Sequence, residues 1–257
     1  PFGGLARSCV YETATLRARV IPLQTWLDDV EVSAGTLILI RDLTELRDRD
    51  RQLVTKDATI REIHHRVKNN LQTVAALLRM QSRRISNPDA KDALKQAMGR
   101  VSAIAVVHEI LSQNFEEQVA FDEVADRILH MVGDVAASSG SVVARREGSF
   151  GDVPAETATA LSLATTELCQ NAIEHSLDSS SGNVIVRPHR TDDALVVDIV
   201  SDGKPLPEGF SLDNHRSSLG LSIVTTLMQD LGGTFTLEDN SDRVGTCARL
   251  VIPLQRL

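Results

Sequence analysis

The feature that most constrains this chain is a long segment, from residue 42 to residue 87, that contains neither glycine nor proline. Apolar residues recur in it every seven positions, at Leu46, Leu53, Ile60, Val67 and Val74, with Leu71, Leu78 and Ile85 interleaved. This heptad repeat predicts one long helix with a coiled-coil seam, because the repeat keeps the apolar positions on one side. Asp50, Asp57 and His64 interrupt the second stripe of the seam.

A second helix is predicted after the break at Asn87-Pro88-Asp89. Its apolar stripe consists of Leu94, Met98, Val101, Ala105, His108 and Leu111. Two helices joined by so short a break predict an antiparallel hairpin, residues 44–115, whose seam one chain cannot cover. We therefore expect a homodimer in which two hairpins form a four-helix bundle.

The segments on either side of the hairpin have sequence patterns that differ from the heptad repeat. Upstream, residues 15–23 and 35–40 are strand-like. Downstream, helices are predicted over 121–137, 155–176 and 220–231, and strands over 142–147, 184–188, 194–200, 234–238 and 246–253. The predicted fold class is multidomain α and α+β. A β fragment (1–43) precedes the hairpin, and an α/β sandwich (116–257) with helices on one face of a mixed sheet follows it.

Composition excludes several classes of partner. A formal net charge of −8 argues against nucleic acid, because a polyanion would repel the molecule on average. No apolar run approaches the roughly 18 residues of a membrane span, so we expect no membrane insertion. Cys9, Cys169 and Cys247 lie far apart, which favours a reducing compartment and a cytoplasmic protein. Because the chain begins at Pro1 without a leader pattern, we read it as a piece of a longer protein.

Two adjacent histidines occupy different faces of the long helix. At roughly 100° per residue, His64 falls in the seam with Ile60, whereas His65 falls on a polar face with Glu62 and Asn69. A neutral imidazole held exposed on a rigid helix is a competent nucleophile near neutral pH. Helical geometry alone nevertheless favours reading both as ordinary seam and surface histidines.

The sequence around these histidines favours a nucleophile over an ordinary seam or surface histidine. Glu62-Ile-His-His-Arg-Val-Lys-Asn-Asn-Leu-Gln72 resembles the phosphoacceptor box of sensor histidine kinases of the HWE-like group, in which R-x-K-N follows the histidine. The resemblance resumes over residues 100–109 on the second helix. It implies that His65 is phosphorylated and passes the phosphoryl group to an aspartate on the receiver domain of a response regulator.

The same resemblance suggests roles for two neighbours of His65. Many other histidine kinases place an acidic base directly after the histidine, where this chain has Arg66. Glu62, one turn earlier, is therefore the candidate general base, although it is equally well read as a surface charge. Asn69, one turn later, would position the regulator's aspartyl phosphate or the water that hydrolyses it.

A polar stripe marks a second site. Glu167, Asn171 and His175 are four residues apart and share one helical face. A carboxylate beside an amide oxygen can hold magnesium together with nucleotide phosphates. The alternative is the polar face of a surface helix.

Glycine motifs follow the stripe in a fixed order: Ser201-Asp-Gly203, Ser217-Ser-Leu-Gly220, Leu231-Gly-Gly233 and Gly245-Thr246. This order resembles a GHKL-type ATPase domain from residue 121 to the C-terminus, and it implies ATP and Mg as cofactors. Asn171 would organise the metal through the nucleotide, while Glu167 would be a catalytic residue and a second candidate ligand. The nucleotide-binding residues implied are Asn171, His175, Ser201, Asp202, Gly203, Leu219, Gly220 and Thr246.

The first glycine motif departs from the family pattern D-x-G-x-G. Ser201 stands where an aspartate would accept the adenine amino group, and Asp202 follows one residue late. Either a bulge brings Asp202 into the pocket, or Ser201 accepts through its hydroxyl or a water. Pro205 replaces the second glycine and the loop is short, so we expect an open pocket and weak binding. The rival reading is a degenerate kinase, a nucleotide-regulated dimeric scaffold without phosphotransfer.

A third motif precedes the hairpin. The segment Gly35-Thr-Leu-Ile-Leu-Ile-Arg-Asp42-Leu-Thr44 resembles the last strand and D-x-T exit of PAS domains, which implies that residues 1–43 end a PAS-like sensor domain. A plain β fragment flanking the dimer is nearly as good a reading. Because Asp50 and Asp57 weaken the seam, we hypothesise that two helix packings lie close in energy and that an upstream sensor selects between them.

Overall fold

A computed structural model of the chain describes residues 6–11, 14–27, 30–113, 118–137, 142–177, 181–212, 219–240 and 244–254. The chain divides into two compact units, residues 1–60 and residues 61–257. Within the described ranges, no helix has both the length and the apolar character needed to span a membrane.

The first unit contains a three-stranded antiparallel sheet. Its strands are β1 (Ala6–Tyr11), β2 (Ala14–Leu27) and β3 (Val30–Asp42), with β2 in the centre. The register between β2 and β3 shifts between Leu23 and Gln24. The sequence predicted strands in this region, but it did not locate β1. Assignment of the sheet to a PAS-like domain remains a prediction.

The start of the long helix is tied to this sheet. The Asp42 carboxylate accepts hydrogen bonds from the Thr44 backbone N–H (2.8 Å) and hydroxyl (2.6 Å), and these bonds lower the pKa of Asp42. The Thr15 N–H in turn donates to the Thr44 hydroxyl at 2.8 Å. Because the first N–H groups of a helix lack partners within the helix, a carboxylate at this point fixes where the helix begins.

Two helices, α1 (Thr44–Arg84) and α2 (Pro88–Gln113), form the predicted hairpin. The Asn87 side chain accepts from the backbone N–H of Asp89 and of Ala90, so it caps α2. His64 and His108 meet between the helices at equal distances from the connection, which makes the hairpin antiparallel.

The apolar stripe of α1 is only partly covered by its own chain. Among the side chains of α1 that the structure describes, six large apolar ones are exposed: Leu46, Ile60 and Val74 in the predicted seam, and Ile63, Leu77 and Met80 outside it. A stripe of this kind needs a partner surface, in agreement with the seam predicted from the heptads. The side chains of Asp50 and Asp57 lie outside the described residues, so the switch hypothesis remains a prediction.

The rest of the second unit is an α/β sandwich. Its helices are α3 (Phe121–Ala137), α4 (Ala155–Asn171), a short π-helix (Ala172–Ser176) and α5 (Leu219–Asp230). Its strands are β4 (Gln118–Ala120), β5 (Val142–Arg146), β6 (Asp152–Pro154), β7 (Gly182–Arg190), β8 (Ala194–Ser201), β9 (Thr234–Asp239) and β10 (Thr246–Pro253). These bounds agree with the predicted elements, except that β4 and β6 are too short for a periodic pattern to reveal.

The main sheet has the order β5-β7-β8-β10-β9. It is mixed, because β5 runs parallel to β7 while the other neighbouring strands are antiparallel. Residues of β8 alternate, and Leu195, Val197, Ile199 and Ser201 are the buried set. Charged pairs such as Arg249–Asp198 (2.6 Å) lie on the opposite face. The predicted mixed sheet with one helical layer is confirmed.

Helix α2 contributes to the core of the sandwich as well as to the hairpin. Ala103, Val107, Ile110 and Leu111 are buried in the same cluster as Leu161 of α4. The stripe that the sequence assigned to the hairpin seam is only half-buried over most of its length. The most buried face of α2 is thus a different one, because it faces α3 and α4.

We expect Ile110→Ala to destabilise the sandwich by about 2–5 kcal/mol, since Ile110 is 2 % exposed and its removal leaves a cavity in the shared core. Val143→Ala in β5 is the control, because Val143 is 50 % exposed and should change the free energy of unfolding by roughly 0.5 kcal/mol or less. Urea unfolding measures both. Equal stability of the two variants would show that α2 is not part of this core.

Candidate active site

His65 lies on α1 with its side chain exposed, on the face that the helical wheel assigned to it. Glu62, the candidate base, bonds to Arg66 at 2.7 Å, and both side chains are exposed. This hydrogen bond and the charge of Arg66 lower the pKa of Glu62. Glu62 is therefore a weaker base than an isolated glutamate unless Arg66 moves away.

His64 has the opposite environment. It is half-buried, and its Nδ1 lies 3.0 Å from Nδ1 of His108 across the hairpin. Burial lowers the pKa of both histidines, and the charge of a second imidazole lowers it further: that of His65 acts on His64, and that of His64 acts on His108. At 3.0 Å one ring must donate and the other accept, so the contact requires that at least one of the two is neutral.

The polar face of α1 continues to Asn69, which is exposed. Its backbone carbonyl accepts the Thr73 hydroxyl at 2.9 Å, which leaves the Asn69 amide outside this bond. Beside it, Lys68 pairs with Glu109 of α2 at 3.5 Å, and Glu109 also meets Arg127 of α3 at 3.3 Å. These charges connect the hairpin to the sandwich.

Glu167 of α4 is held by Arg100 of α2. The guanidinium donates from Nε to Oε1 (2.7 Å) and from Nη2 to Oε2 (2.9 Å). The Glu167 side chain is 4 % exposed and that of Arg100 is 17 % exposed. The fork geometry compensates the buried carboxylate at both oxygens, and it raises the pKa of Arg100. The sequence singled out Glu167 but gave no sign of its partner.

The next turn of α4 brings Asn171 to the same region. Its Nδ2 is buried and has no hydrogen-bond partner among the described residues. A side chain at Gly220 would lie 2.6 Å from Glu167 Oε2 and 3.6 Å from Asn171 Nδ2, so only glycine allows α5 to start this close. The π-helix then continues to His175, which is exposed. A π-helix at the end of α4 is a local irregularity of the kind often found at functional sites.

A cavity of about 470 Å³ opens beside these residues. Its apolar walls come from the helices, the sheet and the loop after β8, and they consist of Leu168, Ala172, Ile199, Pro205, Leu206, Pro207, Phe210, Leu221, Leu237 and Ala248. Its polar lining consists of Asn171, His175, Ser176, Lys204 and Thr246. A concave, mostly apolar space with a few polar groups is the usual form of a small-molecule site.

The two residues that the sequence left ambiguous point in opposite directions. Ser201 is buried, and its hydroxyl lies 2.8 Å from the hydroxyls of both Ser176 and Thr246, which line the cavity. Asp202 instead accepts from the backbone and side-chain N–H groups of Asn183, both at 2.6 Å. Ser201 ends β8 on its buried face, whereas Asp202 lies directly after the strand and bonds to Asn183 of β7.

The implied nucleotide-binding residues therefore fall into three groups. Asn171, His175 and Thr246 line the cavity. Gly203 and Gly220 permit close backbone packing; a side chain at Gly203 would collide with the Ser176 carbonyl oxygen. The others do not line it: Ser201 touches two lining hydroxyls, Asp202 faces Asn183, and Leu219 is exposed at the start of α5.

The residues present fit a magnesium-bound nucleotide. The unpaired buried atom of Asn171 is Nδ2, a donor that suits a phosphate oxygen, and the amide oxygen of the same side chain is a ligand type that Mg²⁺ accepts. Asn171 would hold the metal through the nucleotide, whereas both Glu167 oxygens are engaged by Arg100. Sequence reasoning missed Arg100 and Lys204, because a single basic residue carries no signal of what it contacts.

Comparisons with known proteins agree with this geometry. Residues 62–136 match a family described as histidine kinase, and residues 156–256 match the histidine kinase-, DNA gyrase B-, and HSP90-like ATPases. The chain therefore contains a histidine kinase domain followed by an ATPase domain of this family. The HWE-like phosphoacceptor box and the GHKL-type ATPase domain inferred from the sequence are thereby confirmed as family assignments.

Individual relatives give the same result. The kinase is 48 % identical over 246 residues to the sensor histidine kinase PdtaS of Mycobacterium tuberculosis, covering 95 % of this chain and 48 % of that protein. It therefore spans about half the length of this relative. It is 27 % identical to blue-light-activated histidine kinase 2 of Erythrobacter litoralis, over 83 % of this chain and 61 % of that protein. The solved histidine kinase domain of a blue-light-activated kinase from Erythrobacter litoralis superposes with a TM-score of 0.55 at 26 % identity, covering 80 % and 94 % of the two chains.

Arg100→Ala should destabilise the second unit by about 3–5 kcal/mol, because it leaves the buried Glu167 carboxylate without its counter-charge. Adding Glu167→Gln should recover much of this loss. Lys95→Ala, which removes an exposed pair with Asp92, is the control and should change the free energy of unfolding by about 0.5 kcal/mol or less. Urea unfolding compares the variants. An Arg100→Ala protein as stable as the control would refute a stabilising role for the pair.

The stability of the hairpin should fall below about pH 6.5, the ordinary pKa of histidine. Burial lowers the folded-state pKa of His64 and of His108, so below that pH the unfolded chain binds more protons than the folded one. The contribution is complete above pH 6.5 and is lost as the pH falls toward the folded values. Melting temperatures at pH 7.5 and 5.5 should differ less in a His64→Gln, His108→Gln double variant than in the parent. His130→Gln on exposed α3 is the control; a pH response of the double variant equal to the control's would refute the prediction.

Proposed function

We propose that this chain is the catalytic part of a two-component sensor kinase, which phosphorylates His65 with ATP and then transfers the phosphoryl group to an aspartate of a response regulator. The observation that carries the proposal is the presence, in one chain, of an exposed histidine on a helical hairpin and an ATPase fold with Asn171 at its cavity. Because this chemistry needs ATP, we assign the protein to the cytoplasm.

The chain's own groups supply the chemistry of the first step. A neutral His65 nitrogen attacks the γ-phosphorus of ATP, the bond from that phosphorus to the bridging oxygen breaks, and ADP leaves with the electron pair. The imidazole then loses its proton to solvent or to Glu62, provided that Glu62 has separated from Arg66. Exposure of His65 supports this role, because the same nitrogen must meet both ATP and the regulator.

The cavity supplies the nucleotide site. Mg²⁺, when bound with ATP, would neutralise phosphate charge, and Asn171 is the residue that would hold it. The free backbone N–H groups at the start of α5, near Gly220, are suited to phosphate, and Gly220 itself leaves room for close approach. Lys204 at the exposed side of the cavity adds a positive charge.

The partners follow from the exposed surfaces. The uncovered apolar stripe of α1 supports a homodimer with a four-helix bundle, because a second hairpin would cover it. Beside it, Asn69 on the polar face of α1 is the proposed contact for the regulator's phosphorylated aspartate or for the water that hydrolyses it. An exposed amide, which can both donate and accept hydrogen bonds, suits either role.

His65→Gln should abolish incorporation of label from γ-³²P ATP, whereas His64→Gln should retain much of it and mainly lower dimer stability. The reason is that His65 is exposed and His64 is packed against His108. The label should be lost in acid and kept in base, as phosphohistidine requires. A labelled His65→Gln protein would refute the assignment, and an unlabelled parent that binds ATP and is dimeric would favour the degenerate scaffold.

A further inference from the structure

The nucleotide cavity has an open side and an inner side with different chemistry. His175 and Lys204 are exposed, so they mark the open side, where a triphosphate can stay hydrated. Ser176 is buried, and Thr246 lies beside it on the sheet. The apolar walls enclose this inner side, which is therefore the part suited to a flat heteroaromatic base.

The inner polar groups form a row of three hydroxyls. Ser201 Oγ lies 2.8 Å from Ser176 Oγ and 2.8 Å from Thr246 Oγ1, and in each pair either oxygen can be the donor. At one end Ser176 can also donate to the Lys204 carbonyl oxygen, at 3.1 Å. At the other end Thr246 faces the cavity. We call Ser176, Ser201 and Thr246 the hydroxyl row.

The nearest carboxylate does not belong to this row. Asp202 is the next residue after Ser201, but its two oxygens accept from the backbone N–H and the side-chain amide of Asn183, each at 2.6 Å. It faces the opposite side of β8 and does not line the cavity. The polar groups of the inner side are therefore hydroxyls, which can donate as well as accept hydrogen bonds. A carboxylate in the same place could only accept them.

Backbone packing holds the row in place. A side chain at Gly245 would lie 3.1 Å from the Cα of Asp202 and closer still to the Ser201 carbonyl group. A side chain at Gly203 would collide with the Ser176 carbonyl in the same way. Since these backbone segments touch, the backbone that carries the hydroxyls is held in place. Reversing the hydrogen bonds within the row needs only rotation of the hydroxyl protons.

Two proton arrangements keep both bonds within the row. In one, Thr246 donates to Ser201, Ser201 donates to Ser176, and Ser176 donates to the Lys204 carbonyl, so Thr246 can accept from a ligand. In the other, every donation inside the row is reversed, so Thr246 can donate to a ligand. The second arrangement gives up only the 3.1 Å bond to Lys204, whose loss costs little.

We infer that this site accepts purine nucleotides with either an amino or an oxo group at position 6, so that it discriminates only weakly between adenine and hypoxanthine. The inference rests on the proposed function in one respect, that the cavity binds a nucleotide. Strong discrimination needs a fixed polar group that the wrong base leaves unpaired, and a reversible hydroxyl is not such a group. The extra bond in the accepting arrangement gives adenine a small preference.

The test is calorimetric titration of the kinase with Mg-ADP and with Mg-IDP. These ligands differ only at position 6 and the adjoining ring nitrogen, and neither is a phosphoryl donor. We expect the two dissociation constants to differ by less than tenfold, with ADP at least as tight. An ADP preference well above tenfold would overturn the inference while leaving the proposed function intact. Failure of both ligands to bind would overturn the proposed function and the inference with it.

Variants identify which side chain sets the ratio. Ser201→Asp introduces a fixed acceptor and should raise the preference for ADP at least tenfold, whereas Ser201→Ala should weaken both ligands and leave the ratio near that of the parent. Thr246→Val should weaken both ligands to a similar extent. Melting curves identify any variant that has not folded, and the parent's ratio is decisive by itself.

Asp202→Asn is the matched control. It keeps the shape of Asp202 and changes the contacts with Asn183, which lie outside the cavity. We expect the ratio of the ADP and IDP dissociation constants to stay within about twofold of the parent. A preference for ADP that falls because ADP alone binds more weakly would show that Asp202 contacts the base, and it would overturn the assignment of specificity to the hydroxyl row.

Discussion

Burial of one face of α2 in the core of the sandwich is the constraint on which the second unit depends. Val107 and Ile110 pack in the same cluster as residues of α3 and α4, while His108 on a neighbouring face contacts His64 of α1. One helix therefore belongs to the hairpin and to the ATPase fold at once. A movement of the ATPase fold relative to the hairpin must expose this apolar surface, which costs about 25 cal/mol for each Å² uncovered.

The pair between Arg100 and Glu167 lies at the same junction. Ion pairs that are mostly buried contribute less to net stability than their Coulomb energy indicates, because both charges lose hydration. Their geometric demand is strict, however, since the carboxylate cannot stay buried if the guanidinium moves away. The pair therefore specifies how α4 and Asn171 lie against α2, and a site residue on the ATPase fold is positioned by a residue of the hairpin.

At the inner side of the nucleotide cavity, two residues that are adjacent in the sequence make different contacts. Ser201 and Asp202 are adjacent, yet Ser201, at the end of β8, contacts Ser176 and Thr246, and Asp202, just after the strand, contacts Asn183. The hydroxyl row then replaces a single carboxylate with three weaker groups that share their protons. Apolar walls do not distinguish one purine from another, so we expect the hydroxyl row to determine which substituent at position 6 the site accepts.

Much of this protein could be predicted from its sequence, because the deciding forces are local. The heptad spacing and the break at Asn87-Pro88-Asp89 predict the hairpin, and the 100° step of a helix separates His64 from His65. Alternating patterns also located the strands of the main sheet, since period 2 is a property of consecutive residues. Short β4 and β6 had no such signal, because three residues cannot establish a period.

Only the tertiary structure decided the contacts between residues far apart in the chain. The sequence assigned α2 to a single seam, but the buried face is set by α3 and α4, and a helical pattern does not state what it packs against. Nothing local links Arg100 to Glu167, and the choice between Ser201 and Asp202 depends on strand register and on Gly245 packing against β8. The sequence by itself determined which elements form and which residue types they carry. Long-range packing decided which of those residues contact each other. Each such contact involves two segments far apart in the chain, and the sequence of neither segment determines how close the two lie in space.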